Sequence, residues 1–303
     1  MFDKSNYVGR FAPSPTGPLH FGSMVAAIGS YLRARSQGGA WLLRVEDIDP
    51  PRETPGAAYQ ILKRLEEFNL YWDGDVLHQS HRTEAYLDAL SQLRRNKMLY
   101  TCGCTRKEIN EQDVTSQYGP VYTGACREGL SEGKQPRTLR VITHDTPISF
   151  KDAILGTFTQ QLESEFGDFV VRRADDLFAY QLAVVVDDAE QGITEVVRGC
   201  DLLDNTPRQI HLQHLLNLPT PSYAHLPIAL NQQGQKLSKQ TGAASIEGVR
   251  PQALTVEVMR FLGLTPPNDL TDCTIDDVLL WGIQHWDITT VPTSNKIITP
   301  SLT

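Results

Sequence analysis

The chain has 303 residues, with 28 Lys plus Arg against 36 Asp plus Glu for a net charge of −8, and 40% of its residues are hydrophobic. This composition is ordinary globular usage, which excludes a disordered or collagen-like chain, and a chain of this length buries about three quarters of its unfolded surface without disulfide staples. The net acidity excludes a uniformly basic polyanion binder but not a local basic patch.

No run approaches the roughly 18 consecutive apolar residues of a membrane span, and the polar first ten residues carry no signal-peptide core. Five cysteines, three of them between Cys102 and Cys126, fit a reducing compartment and a metal site better than a secreted disulfide scaffold. The expectation is a cytoplasmic protein with no membrane partner, acting as a monomer.

In chain order, Tyr7-Val8-Gly9-Arg10-Phe11-Ala12 reads as a short strand stopped at Pro13. Pro13, Pro15, Gly17 and Pro18 make a stiff loop, after which Met24, Val25, Ile28, Tyr31 and Leu32 recur at helical spacing. Trp41-Leu42-Leu43-Arg44-Val45 is a second strand that runs into acidic Glu46-Asp47-Ile48-Asp49. An amphipathic helix is expected from Pro55, with Tyr59, Leu62, Leu65 and Phe68 inward. Another is expected over 84–99, with Tyr86, Leu87, Leu90 and Leu93 inward. Strand–helix–strand–helix order predicts a parallel sheet with helices on both faces.

The middle, 100–170, holds the cysteines, two Gly/Pro turns and a strand at 138–142. Leu182-Ala183-Val184-Val185-Val186-Asp187 reads as a strand buried on both faces. Helices are expected at 208–216, 254–262 and 275–286, then a Ser/Thr/Pro-rich tail. The fold class expected is α/β, a Rossmann-like parallel-sheet nucleotide-binding core. That core spans 1–99 and 171–243, split by a zinc-bearing insertion over 100–170 and followed by a helical appendage over 244–303.

Pro18-Leu19-His20-Phe21-Gly22-Ser23 lies between a strand and a helix, where free N–H groups and the helix dipole favour an anion. His20 can reach a phosphate and Gly22 permits close approach; the same residues also suit a simple turn capped by Ser23. Far downstream, Gly234-Gln235-Lys236-Leu237-Ser238-Lys239-Gln240 sets two lysines three apart on a polar loop. Such lysines can neutralise a triphosphate. Among the cysteines, Cys102-Gly103-Cys104 and Cys126 supply three of the four ligands that a tetrahedral zinc takes. No fourth cysteine lies nearby, and on the residues alone His144 is the candidate for the fourth.

In these two separated motifs the chain resembles the class I aminoacyl-tRNA synthetases. It departs from them in Ser23, where most of the class has a second histidine, and in Gln240, where serine is usual. Gly9-Arg10-Phe11-Ala12-Pro13-Ser14-Pro15-Thr16-Gly17 and Arg44-Val45-Glu46-Asp47-Ile48-Asp49-Pro50 look like the glutamyl type, with Glu46 where a glutaminyl enzyme usually has aspartate. Only 63 residues follow Gln240, which leaves no room for an anticodon-reading domain. The pattern is therefore similar to the truncated glutamyl-Q tRNA(Asp) synthetase family.

The resemblance implies activation of L-glutamate with ATP and Mg²⁺, without tRNA, and transfer of the glutamyl group to queuosine at the wobble position of tRNA(Asp). It implies glutamate binding by Arg10, Phe11, Ala12, Pro13, Ser14, Glu46, Tyr180 and Arg198. ATP would be bound by His20, Gly22, Ser23, Lys236 and Lys239, with His20 and the two lysines catalytic. One structural zinc on Cys102, Cys104, Tyr122 and Cys126 is implied as well. Chemistry agrees for the amino acid: arginines grip carboxylates and Glu46 can pair an ammonium. The competing expectations are a conventional glutamyl-tRNA synthetase charging a 3′ end and a non-catalytic amino-acid-sensing or RNA-binding paralogue.

Overall fold

A computed structural model describes residues 6–230, 246 and 248–298. The lysine pair Lys236 and Lys239 lies outside the described residues. The first strand, β1 (Val8–Phe11), leads through the proline loop into α1 (Phe21–Ser36) and back to β2 (Ala40–Val45). β1 and β2 pair in parallel from Val8↔Ala40 to Phe11↔Leu43. After α2 (Ala57–Glu67), β3 (Leu77–His78) adds to β2 in parallel. The expected parallel order is therefore present. α2 turns Ala57, Ile61 and Leu65 inward and leaves Tyr59 70% exposed, so Tyr59 is not a core residue.

α3 (Thr83–Arg95) buries Tyr86, Ala89, Leu90 and Leu93. Leu87, expected inside, is 40% exposed because Ala89 and Leu93 occupy the inner stripe. The helix stops four residues before 99: Lys97 takes a left-handed φ of 58°, and Leu99 opens β4 (Leu99–Cys102).

The middle segment continues through α4 (Arg106–Asn110), β5 (Thr115–Ser116), β6 (Gly119–Pro120) and β7 (Thr138–Val141). Then follow β8 (Ile148–Asp152), β9 (Gly156–Gln160), α5 (Leu162–Glu165) and β10 (Phe169–Arg172). β4, β7 and β10 form one antiparallel sheet in the order β10-β7-β4.

The run at 182–187 is not a strand. It lies within α6 (Tyr180–Glu190), with Leu182, Ala183, Val184, Val185, Asp187 and Asp188 all buried. A helix covered on every side shows no polar stripe, so a short run of it looks like a central strand in sequence. The structure replaces that strand with β11 (Glu195–Gly199), parallel to β12 (Ser222–Leu226), with α7 (Thr206–Leu216) between them. β12 also pairs with β8 at Tyr223↔Asp152, which joins the β8–β9 hairpin to this sheet. β1 runs beside β11, tied at its start by the Thr194 N–H donating to the Val8 carbonyl at 2.9 Å.

β13 (Ile228–Leu230), α8 (Pro251–Phe261) and α9 (Ile275–His285) follow, and the Ser/Thr/Pro-rich tail is more than a tail. Its residues form β14 (Lys296–Ile298), parallel to β13. The main core wraps α1, whose Met24, Ile28 and Leu32 are fully buried. α8 and α9 close it, with Phe21 and Phe261 edge-to-face at 5.5 Å. α1 approaches β12 at Gly29, where an added Cβ would lie 2.7 Å from Leu226 Cδ1. Truncating such a residue, Leu32→Ala for example, costs about 2–5 kcal/mol. Among the described residues, no helix is long and apolar enough to cross a membrane.

Candidate active site

The C-terminal end of β1 and the loop after it open onto a cavity of about 830 Å³. The loop is shaped by its own sequence. Gly17 between Thr16 and Pro18 adopts φ 137°, which side-chain-bearing residues rarely reach. Two backbone bonds then fasten the loop to the acidic segment after β2: Glu46 N–H to the Pro13 carbonyl at 3.0 Å and Thr54 N–H to the Pro15 carbonyl at 2.9 Å. Arg10, Phe11, Ala12, Pro13 and Ser14 line the cavity on this side, with Glu46 beside them.

His20 is the N-cap of α1, extended at φ −125° and ψ 176°. Its Nδ1 accepts from the Ser23 N–H, and the Ser23 hydroxyl accepts from the His20 N–H, each at 3.4 Å. The cap is thus His20 rather than Ser23, which reaches back from the first turn as in a capping box. His20, Gly22 and Ser23 line the cavity, so the positive end of α1 faces it.

α6 and β11 supply the opposite wall through Tyr180 and Arg198. Every sequence-predicted amino-acid residue therefore reaches one cavity, although 188 positions separate Arg10 from Arg198. The mouth is lined by Asp49, Arg52, Glu53 and Arg173, and Arg173 Nη1 meets Asp49 Oδ2 at 3.1 Å.

The two walls differ in charge. Arg10 Nε meets Asp188 Oδ1 at 3.1 Å, Arg44 Nη1 meets the same oxygen at 2.7 Å, and Arg44 Nη2 meets Glu46 Oε1 at 3.3 Å. Two cations thus face two carboxylates, all nearly or fully buried. Burial pushes the Asp188 carboxyl up, but Arg10 and Arg44 overcome it and hold the group below the usual aspartate range. Glu46 goes the other way: burial raises it against the pull of the same arginines.

Arg198, 5% exposed, has neutral partners instead. Its Nε donates to His225 Nε2 at 3.1 Å, and Nη2 donates to Thr206 Oγ1 at 2.8 Å and the Leu202 carbonyl at 3.4 Å. Nη1 lies 3.4 Å from the Tyr180 hydroxyl. Burial, followed by Arg198 against the opposing help of Asp152, pushes the His225 imidazole down to about 4, so it is neutral near pH 7. No carboxylate stands among these bonded partners, so the charge of Arg198 is not spent in an ion pair as those of Arg10 and Arg44 are.

Asp188, Asp152, His225 and Thr206 shape this site without any motif that names them, and Arg44 stands in a quoted motif with no role read for it. A charged doublet, Asp187-Asp188, inside an apolar run is the one available signal, because buried carboxylates are paired. Asp187 holds the other side of α6, accepting from Gln79 Nε2 at 2.8 Å, Tyr86 Oη at 2.7 Å and Arg82 Nε at 3.2 Å.

The cysteines converge as well. The thiol sulfurs of Cys102, Cys104 and Cys126 lie within 4.8 Å of one another and are buried. Cys104 and Cys126 sulfurs are 3.6 Å apart, close to the roughly 3.8 Å that a tetrahedral zinc with sulfur at about 2.3 Å requires. The Tyr122 hydroxyl joins them, 3.3 Å from Cys102 Sγ and 3.9 Å from Cys104 Sγ. His144 instead stacks edge-on against His211 with ring centroids 6.4 Å apart. The Tyr122 backbone is pressed against Gly167, where φ is 69° and an added Cβ would stand 1.8 Å from the Tyr122 carbonyl oxygen. Burial opposes ionisation of Cys102, but bonds from Tyr122, the Cys104 N–H and Arg140 bring its thiol down to about 7. Burial and the neighbouring sulfurs push the Cys104 thiol up instead; three thiols and a phenol gathered this closely make a donor set that a soft divalent metal fits.

Comparison with known proteins gives a consistent picture. Residues 7–280 match the family model for tRNA synthetases class I (E and Q), catalytic domain. The Glutamyl-Q tRNA(Asp) synthetase of Dechloromonas aromatica (strain RCB) is 52% identical over 299 residues, which is 98% of this chain and 99% of the relative. The protein of that name from Thiobacillus denitrificans is 51% identical over 294 residues, 97% of this chain and 98% of the relative. Among solved structures, a glutamate tRNA ligase from Elizabethkingia meningosepticum in complex with its amino acid superposes with a TM-score of 0.81 at 25% identity. The match covers 98% of this chain and 67% of the ligase.

Proposed function

Because the chain belongs to the family of class I tRNA synthetases (E and Q) by its catalytic domain, we propose that it activates L-glutamate with ATP and transfers the glutamyl group to queuosine at the wobble position of tRNA(Asp). The observation that carries the amino-acid half is Arg198, a buried cation on the cavity wall whose bonded partners are all neutral. Free glutamate bears a side-chain carboxylate that glutamine lacks, and Arg198 offers it a cation with no carboxylate among its bonded partners. Glutamine, with no net charge, would leave that buried cation unpaired. The nucleotide half is supported by relatives about half identical over nearly their whole length and named for that reaction.

In the first step the glutamate α-carboxylate attacks the α-phosphorus of ATP, forming glutamyl-adenylate and releasing pyrophosphate. Such transfers rest on positioning and charge stabilisation. His20 and the N-terminus of α1 receive the nucleotide phosphates. Lys236 and Lys239 stabilise the departing pyrophosphate, with Mg²⁺ carried in on ATP. Arg10, Glu46, Tyr180 and Arg198 hold the amino acid, with Phe11, Ala12, Pro13 and Ser14 as its floor. In the second step a hydroxyl of the modified base attacks the activated carbonyl and AMP leaves.

The remaining assignments extend this reading. Cys102, Cys104, Tyr122 and Cys126 would hold one zinc in a structural role, since activation of a carboxylate by ATP calls for no Lewis-acid metal there. The core is taken as 1–99 with 171–243, interrupted by 100–170, and 244–303 as its appendage. The protein is taken as a cytoplasmic monomer, in keeping with its five free thiols.

The experiment that tests the reaction is glutamylation of tRNA(Asp) with and without queuosine. Product is expected only with queuosine, and it is expected to survive removal of the 3′ adenosine; loss of product on that removal would identify 3′-end charging instead. Lys239→Ala is expected to lower ATP–pyrophosphate exchange about 100-fold or more with glutamate affinity nearly intact. Wild-type exchange in that variant would remove the lysine from the assignment.

A further inference from the structure

Behind Arg198 stands a second layer that the reaction as described does not use. Asp152 and His225 are both buried, with 0% side-chain exposure. They reach each other from different strands: Asp152 ends β8, and His225 lies on β12 beside it. Asp152 Oδ1 accepts from the N–H groups of Ile154 at 3.0 Å, Leu155 at 2.9 Å and His225 at 3.2 Å. Oδ2 faces His225 Nδ1 at 2.6 Å. Burial works against ionisation of Asp152, but these bonds, that to the imidazole foremost, hold it below the usual aspartate range. An ionised carboxylate only accepts, so Nδ1 carries the proton. At the other side of the ring Arg198 Nε can only donate, so Nε2 must offer its lone pair. The Thr206 hydroxyl, 3.3 Å from Nε2, can add a second donor there. One tautomer of a neutral imidazole satisfies every partner.

We infer that Asp152 and His225 form a positioning relay that fixes the Arg198 guanidinium for the amino acid's side-chain carboxylate, and so sets the preference for glutamate over glutamine. The inference rests on the glutamate reading of the cavity. A carboxylate placed directly against Arg198 would hold it as firmly but would cancel its charge, as Asp188 does for Arg10 on the facing wall. The intervening neutral ring orients the guanidinium through Nε and leaves its charge for the ligand. Thr206 and the Leu202 carbonyl fix Nη2, so Nη1 is the nitrogen left beside Tyr180.

The relay has a specific weakness. In Asp152→Asn one side of the amide is a donor, and either orientation sets it against an N–H. Satisfying the amide by moving the imidazole proton to Nε2 turns that atom into a donor facing Arg198 Nε–H, the wrong tautomer for the task. In that tautomer the arginine loses its acceptor.

ATP–pyrophosphate exchange measured against glutamate, glutamine and ATP tests this with four proteins: wild type, Asp152→Asn, His225→Gln and His225→Phe. Asp152→Asn and His225→Phe are expected to raise the glutamate KM by about tenfold or more, with the ATP KM within about twofold, and to narrow the glutamate-to-glutamine ratio of kcat/KM by the same factor. His225→Gln, whose amide oxygen can accept from Arg198 Nε, is expected to recover glutamate KM to within about threefold of wild type. The relay is overturned if folded Asp152→Asn or His225→Phe keeps the wild-type glutamate KM and discrimination, or if the glutamate and ATP KM values rise together. Should Asp152→Asn fail to fold, the contrast between Gln and Phe at 225 decides alone. A wild-type protein without glutamate-dependent exchange would overturn the glutamate reading itself, and the relay with it.

Discussion

The two walls of the cavity use arginine in opposite ways. On the β1 side Arg10 and Arg44 share Asp188, and Glu46 completes a set of two cations and two carboxylates. On the β11 side Arg198 is held by an imidazole, a hydroxyl and a carbonyl. The first arrangement is neutral and rigid. It holds Glu46 where an ammonium can meet it and ties α6 to the sheet. The second leaves one full charge facing the cavity. A buried arginine is therefore not by itself a ligand site. What matters is whether its partner has already used its charge.

The largest effect should come from breaking the neutral wall. Asp188→Ala leaves two buried guanidinium groups without their shared carboxylate, and a loss of about 3–5 kcal/mol in unfolding free energy is expected. Urea unfolding measures it; a loss under about 1 kcal/mol would mean that the set is not structural. Next in size, Arg198→Ala removes the uncompensated charge, and kcat/KM for glutamate should fall about 100-fold, equivalent to about 2.7 kcal/mol. The accompanying change in stability should be far smaller than that of Asp188→Ala, and equal losses would erase the distinction between the walls.

A smaller effect concerns pH. His225 binds a proton near pH 6.5 when unfolded but only at about 4 when folded, because burial holds it neutral. Between these values the unfolded chain binds more protons, so unfolding free energy should fall as pH is lowered from about 6.5 toward 4. Asp188 and Asp152, held below the ordinary aspartate range, add stability that is present above their unfolded value near 3.9. That part is lost only as pH falls further, through their folded values. Urea titrations from pH 7 to 4 should show a shallower slope in His225→Gln; an unchanged slope would remove the imidazole as its source.

The cysteine cluster supplies a contrast of another kind, being gathered from one stretch of 25 residues rather than from both ends of the core. Metal analysis of Cys126→Ala should show about one zinc per chain fewer than wild type. Unchanged zinc would place the metal elsewhere.

These regions were not equally legible in sequence. The cysteine spacing and the strand–loop–helix at His20 are local, and local chemistry survives in one dimension: a glycine needing positive φ, a proline loop, a Cys-x-Cys. α6 reads as a strand in sequence because five consecutive apolar residues, 182–186, show no period where the helix is buried on nearly every side. Spacing alone puts Tyr59 and Leu87 inside, whereas the smaller Ala57 and Ala89 take the inner positions. The family resemblance favours Tyr122 and the residues alone offer His144; the structure places His144 against His211 and Tyr122 beside the thiols.

By itself the sequence determined the strand–loop–helix–strand order of β1, α1 and β2, the cap region of α1 and the grouping of three cysteines within one segment. Each lies within a few tens of residues along the chain. Only the tertiary structure decided that Asp188 neutralises Arg10 and that Asp152 acts on Arg198 through His225. Those pairings join residues 178, 73 and 27 positions apart. Charge balance in a buried pocket is a sum over such distant groups, and a single strand of sequence carries the groups but not their distances.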